Sequence, residues 1–203
     1  LQWRPVAGRW IRPDQEPSAD ELIERSVAIE GCDVRLLSPE DNLLQVCLHT
    51  AKHSFVRAPG FRLHTDVDRV IRSAEIDWLL FFERVQGLQV KTAVYFSLAL
   101  AQDLLKTPIP QSVLESLRPS HWKVWLISHW LQKVGLFDPD GKKWGRIGYI
   151  IFVSLLYDDV KGFVRGMFPS VEWMKEKYGE RKYWRIPYYY LKRLVGLLLK
   201  RTL

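Results

Sequence analysis

Apolar residues recur at helical spacing along most of this chain. After Ser38, residues placed at steps of about 100° gather Leu43, Leu44, Cys47, Leu48, Ala51 and Phe55 on one side, with Gln45, His49, Lys52 and His53 opposite. Ser38 as N-cap, Pro39 in the first helical position and the acids Glu40 and Asp41 in the first turn give this helix a favoured start; it is predicted to reach about Phe55. A second stripe, Leu63, Val67, Val70 and Ile71, predicts a helix over 63–73 and leaves Asp66, Asp68, Arg69 and Arg72 off its apolar face. The same reasoning predicts helices over 75–86, 91–106, 111–117, 121–134 and from Pro169 to Tyr178. Residues 144–160 are apolar nearly all round, the pattern of a central buried helix. Pro187 opens the last helix, with Lys192, Arg193 and Lys200 on one face and Leu191, Leu194, Leu197 and Leu198 on the other.

The ends and breaks fit around these elements. Residues 1–19 carry Pro5, Pro13 and Pro17 and alternate Trp3, Val6, Trp10 and Ile11 with polar residues, which reads as an extended arm or edge strand. Ser18 can cap a short helix over 19–27, stopped by Gly31, with a short strand over 32–36 to follow. Residues 137–141 form a loop, and Thr107-Pro108-Ile109-Pro110 breaks the chain. No internal repeat or linker stands out. The fold class expected is mainly α: a multi-helix bundle with a short extended N-terminal arm.

Composition agrees. At 203 residues, 47% hydrophobic and 26% charged, the chain is long enough and apolar enough to bury a core. Its nine tryptophans suit crowded helix interfaces and substrate clefts alike. Cys32 and Cys47 make neither a disulfide framework nor a CxxC metal pair. The start resembles no signal peptide, and the longest apolar run, 147–156, is about half a membrane span. A cytoplasmic location is therefore expected. The net charge of +7 is unevenly placed: residues 1–160 balance at −1, and residues 161–203 carry +8. A basic tail of this kind attracts phosphates, acidic protein surfaces or anionic membranes, or simply keeps the protein solvated.

The most chemical segment is His49-Thr50-Ala51-Lys52-His53. Histidines at i and i+4 on a helix emerge one turn apart and can share a metal ion. The zinc-peptidase pattern, however, has Glu after the first His, and here Thr50 stands there. Contacts to phosphate or substrate with Lys52, or to a neighbouring domain, are the other readings. Asp66-Val67-Asp68 is a DxD, which holds two Mg²⁺ when it lies on a strand. On a helix the two side chains diverge by about 200°, so one Asp is left for function and the other for solvent. Asp77 is placed to cap the helix that follows it. Asp158 and Asp159, at the C-terminal end of the apolar stretch, call for a cation such as Arg165. Tyr183-Trp184-Arg185 and Tyr188-Tyr189-Tyr190 interleave aromatics with the basic tail, as nucleic-acid stacking, a membrane surface or helix packing would. There is no Gly-rich phosphate loop, GxSxG or dinucleotide fingerprint.

The run from Leu37 through Ser38-Pro39-Glu40-Asp41 to His49-Thr50-Ala51-Lys52-His53, then Arg62-Leu63, Asp66, Val70-Ile71-Arg72 and Ile76-Asp77-Trp78, resembles the uncharacterised bacterial nucleotidyltransferase family of the polymerase-β-like superfamily. Pro108-Ile109-Pro110, Leu155-Leu156-Tyr157-Asp158-Asp159 and the segment from Phe168 to Tyr178 resemble its C-terminal half, so the likeness spans about residues 22–203. The resemblance implies transfer of a nucleoside monophosphate from an NTP, with Mg²⁺, to an acceptor the residues do not name. It implies catalytic carboxylates in a D-x-D on a strand after a Gly-Ser turn, in an α/β domain expected before residue 1. Leu1-Gln2-Trp3 resembles the last strand of that domain, with Gln2 where relatives have His. On this reading residues 1–37 are the arm, last strand and linker of the absent catalytic domain, and 38–203 are a helical substrate-binding domain, inactive alone. Lys52, His53, Asp66 and Arg69 are then the expected nucleotide- or substrate-binding residues, His49 and Asp66 the expected proton relay, and no residue a metal ligand. The competing expectation is a non-catalytic helical module whose basic tail, 181–203, binds an acidic protein, nucleic acid or a membrane surface. A metallohydrolase built on His49 and His53 is a third.

Overall fold

A computed structural model describes residues 11–12, 15–29, 31–135, 145–179 and 182–199. The expected N-terminal strand, the loop over 137–141, and Lys200 lie outside these residues. The chain divides into two compact units, Leu1–Lys143 and Trp144–Leu203.

The first unit contains α1 (Ala19–Glu24), a hairpin of β1 (Val27–Ala28) and β2 (Arg35–Leu36), α2 (Pro39–Lys52), α3 (Arg62–Ser73), α4 (Trp78–Gly87), α5 (Lys91–Leu105), α6 (Gln111–Leu117) and α7 (His121–Val134). The fold is mainly α, as the periodicity predicts. Helices α2, α3 and α5 pack on one another and build the core from the predicted stripes: Leu43, Leu44, Cys47, Leu48 and Ala51, with Leu63 and Val67, against Ala93, Val94, Leu98 and Ala101. Each large apolar side chain buried in this way contributes about 1.5–3 kcal/mol.

Two ends of α2 are held by polar groups. At its start Ser38 Oγ accepts the Asp41 N–H at 3.2 Å, completing the expected cap. The Asp41 carboxylate, fully buried, takes the Arg25 guanidinium in a two-pronged pair at 2.8 and 3.1 Å and Arg84 Nη1 at 3.1 Å. Arg84 also donates to Ser38 Oγ at 2.8 Å, and Glu40 Oε1 accepts the Asp77 N–H at 3.1 Å. One buried cluster thus ties α1, α2 and α4 together. At its other end the chain leaves α2 through Ser54 and Phe55, both at positive φ (54° and 65°). That turn drops Phe55 into the core, 6.1 Å from the Phe96 ring, and the Phe55 carbonyl lies 2.9 Å from His64 Nε2.

The hairpin shortens the first predicted helix. Val27 and Ala28 pair antiparallel with Leu36 and Arg35, and Arg35 donates to the Ser26 carbonyl and hydroxyl. So α1, opened by its Ser18–Glu21 capping box, ends at Glu24, and Gly31 serves the hairpin at φ +79°.

The second unit holds α8 (Arg146–Leu155), α9 (Val160–Met167), α10 (Val171–Tyr178), a 3₁₀ turn (Tyr183–Arg185) and α11 (Ile186–Leu199). The continuous buried helix expected over 144–160 is corrected here. Phe152 and Leu156 are buried, but Ile147 and Ile151 are exposed, and α9 starts anew because Asp159 caps it, accepting the Gly162 N–H. Asp159 therefore works as an N-cap rather than as the partner of Arg165. In α9, a side chain at Gly166 would run into the Tyr157 ring, so the helix passes that ring only as glycine. The last helix is corrected too: Arg193, expected on the outer face, donates from Nη2 to the Gly166 carbonyl at 2.9 Å and lies over Trp173, while Leu191 is exposed. Among the described residues no helix is long and apolar enough to cross a membrane.

Candidate functional site

The core demands that one side of α2 face inward, which turns Asn42, Gln45, His49 and Lys52 outward at i, i+3, i+7 and i+10. This polar stripe and the start of α3 line an open groove of about 470 Å³, bordered by Leu37, Asn42, Gln45, Val46, His49, Thr50, Lys52, Leu63 and Asp66. Thr50 Oγ1 donates to the Val46 carbonyl at 2.8 Å, so the residue after His49 satisfies its own helix and offers no base.

Of the residues singled out in the sequence, His49, Lys52 and Asp66 meet in this groove. His53 does not line it; its ring lies 4.7 Å from that of His49, tilted by 57°, and makes a backbone hydrogen bond with Ala58. Arg69 is exposed on α3, away from the groove lining. Periodicity placed Gln45 on the polar face but passed over Asn42, whose signal was the same stripe continued one turn toward the start of α2.

Electrostatics favour the neutral form of His49. Partial burial is the largest cause pushing its pKa below the ordinary 6.5, and the Lys52 ammonium pushes the same way, while the Asp66 carboxylate opposes them. His53 is lowered too, first by burial, then by His49, against the Ala58 bond. Both shifts favour the neutral imidazole, a ring with one nitrogen lone pair able to accept a proton.

The two aspartates of the DxD part company as the helix predicts. Asp66 borders the groove. Asp68 is not left to solvent: it accepts from Arg72 Nε at 2.8 Å and from Thr107 Oγ1 at 2.7 Å, fastening α3 to the end of α5. Among the described residues no group of three or more His, Cys, Asp and Glu is placed to hold a metal ion. Mg²⁺ for nucleotide chemistry needs clustered oxygen ligands, and the groove offers the single carboxylate of Asp66. The described residues therefore do not fit a magnesium site, nor a zinc site on His49 and His53.

Residues 1–106 match the family described as uncharacterised nucleotidyltransferase, a span that contains all of the groove. The later blocks, from Pro108 onward, lie beyond the matched span. No curated protein and no solved structure matches the chain. With more than half of its length matched, the chain belongs to the uncharacterised nucleotidyltransferase family.

Proposed function

We propose that the groove between α2 and α3 holds substrate for transfer of a nucleoside monophosphate from an NTP to an acceptor. The observation that carries this reading is the meeting of a cation, a neutral imidazole and a carboxylate, Lys52, His49 and Asp66, in one groove of a chain from a nucleotidyltransferase family. Lys52 counters the charge of the triphosphate. His49 takes the proton as an acceptor hydroxyl oxygen bonds to the α-phosphorus and the bond to pyrophosphate breaks. Asp66 stabilises the imidazolium that results. His53, beside His49, keeps that ring in a partly dry setting, and Arg69 gives α3 a further positive charge outside the groove. The D-x-D carboxylates and Mg²⁺ expected of a polymerase-β-like centre have no counterpart among the described residues. The reading therefore assigns this chain substrate holding and proton handling.

Calorimetric titration with ATP, GTP, CTP and UTP tests it. At least one should bind, and Lys52→Met should weaken that nucleotide roughly tenfold, the loss of one charge-assisted contact, with the melting temperature unchanged. Equal affinity in the variant, or no binding of any of the four, would reject the groove as a nucleotide site.

A further inference from the structure

The solvent face of α11 is apolar. Tyr188, Leu191 and Val195 follow one another at i, i+3 and i+7 and are all exposed, Leu191 at 61%. The opposite side of the helix is engaged within its own unit. Ile186 is buried, Tyr190 donates its hydroxyl to the Pro169 carbonyl, and Arg193 bonds to Gly166 and covers Trp173. Just before the helix, the 3₁₀ turn adds two large exposed rings, Tyr183 and Trp184, the latter at 72%. An ordinary amphipathic helix does the reverse, with its aliphatics inward and its charges in water. A run of large exposed apolar side chains rimmed by charge marks a surface that meets a partner.

Charge identifies the partner. Residues 181–203 contain seven Lys and Arg and no Asp or Glu, and Lys182, Arg185 and Lys192 are exposed beside the apolar ridge. The partner that covers this surface is thus anionic at its rim and apolar within. Leu191 and Val195 have no π-face to offer a nucleobase, whereas hydrocarbon accepts them readily. Trp and Tyr favour the headgroup boundary, and Lys and Arg favour anionic headgroups. At 14 residues α11 is too short to span a bilayer but suits lying in its plane.

We propose that α11 and the turn before it dock flat on a bilayer rich in anionic phospholipid, with Trp184, Tyr188, Leu191 and Val195 entering the headgroup–acyl boundary and Lys182, Arg185 and Lys192 at the phosphates. This surface is independent of the α2–α3 groove and of the nucleotidyl-transfer reading.

Co-sedimentation of the chain with vesicles of phosphatidylcholine alone, and of phosphatidylcholine with phosphatidylserine, decides it. Binding is expected to the phosphatidylserine vesicles, weakened by salt and not competed by inorganic phosphate. The variant Trp184→Ser, Leu191→Ser should bind about tenfold or more weakly, the apolar area removed being that of two large side chains. Both positions are exposed, and an unchanged helical circular dichroism signal confirms that the variant folds. Lys182→Glu with Lys192→Glu serves as a second variant and should lose the preference for phosphatidylserine. The proposal is overturned by absence of binding to phosphatidylserine vesicles, by full binding in both variants, by release with phosphate alone, or by binding of single-stranded nucleic acid in place of vesicles.

Discussion

His64 is fully buried, with Nε2 donating to the Phe55 carbonyl at 2.9 Å and Nδ1 lacking a hydrogen-bond partner. That arrangement suits a neutral ring, since a second N–H would be buried without an acceptor. Burial lowers its pKa from the ordinary 6.5, with the Phe55 bond opposing, and His49 and His53 are lowered in the same direction. Between the folded values and 6.5 the unfolded chain binds more protons than the folded one, so stability rises with pH in that window. The contribution of the three histidines is fully present above about 6.5 and is lost as pH falls through their folded values. Urea unfolding midpoints should therefore be lower at about pH 5.5 than at about pH 7.5, with a smaller drop in His64→Gln; equal midpoints at the two pH values would contradict this. His64 was not legible in the sequence, because it sits beside Leu63 on the inner side of α3 and its partner is a carbonyl delivered by a positive-φ turn. His49 and Lys52 were legible, because a helix with a well-marked apolar side leaves little choice about its polar one.

At the scale of elements, Ser38-Pro39-Glu40-Asp41 does more than begin a helix. The cap and first-turn acids were readable from residue type alone, but the two arginines that meet Asp41 lie 16 and 43 positions away, and no local pattern couples them. Asp41 in turn holds the Arg25 guanidinium, raising its pKa through their hydrogen bonds. Removing one partner of a buried pair leaves the others uncompensated. Asp41→Ala is expected to destabilise the first unit by about 3–5 kcal/mol in urea unfolding; a change within about 0.5 kcal/mol, the size of an ordinary surface substitution, would mean that the network is not what joins α1, α2 and α4. Helices with clear apolar stripes, such as α5, α6 and α7, follow their sequence patterns closely even without a side-chain cap, whereas α2 stops at Lys52, short of the Phe55 its stripe suggests, because Ser54 and Phe55 take positive φ. The helix over 144–160 does not, since an apolar run says nothing of which side chains find partners, and an N-cap at Asp159 interrupts it. In α11, aliphatic spacing marked the inner face, whereas Arg193, stacked on Trp173 and bonded to a carbonyl, occupies it.

For the whole molecule, charge and family point to different ends of the chain. The groove and the family match both fall within residues 1–106, where charge is nearly balanced, and the basic surplus lies after residue 160. The fold class and the family were legible in the sequence through spaced motif blocks. The groove itself was not, because it depends on how α2 and α3 pack and on which of two aspartates α3 turns toward it. The central claim is that this groove receives a nucleotide, and the His49 imidazole reports on it most directly. Its ring protons should be followed by NMR while an NTP is added. The account predicts a saturable shift of the His49 signals and a rise in its pKa, since phosphate charge at Lys52 removes one of the causes holding that pKa down. The signals should be undisturbed by NTP in Lys52→Met at concentrations that saturate the unaltered chain. His49 signals that stay fixed in the unaltered chain through the titration would contradict it.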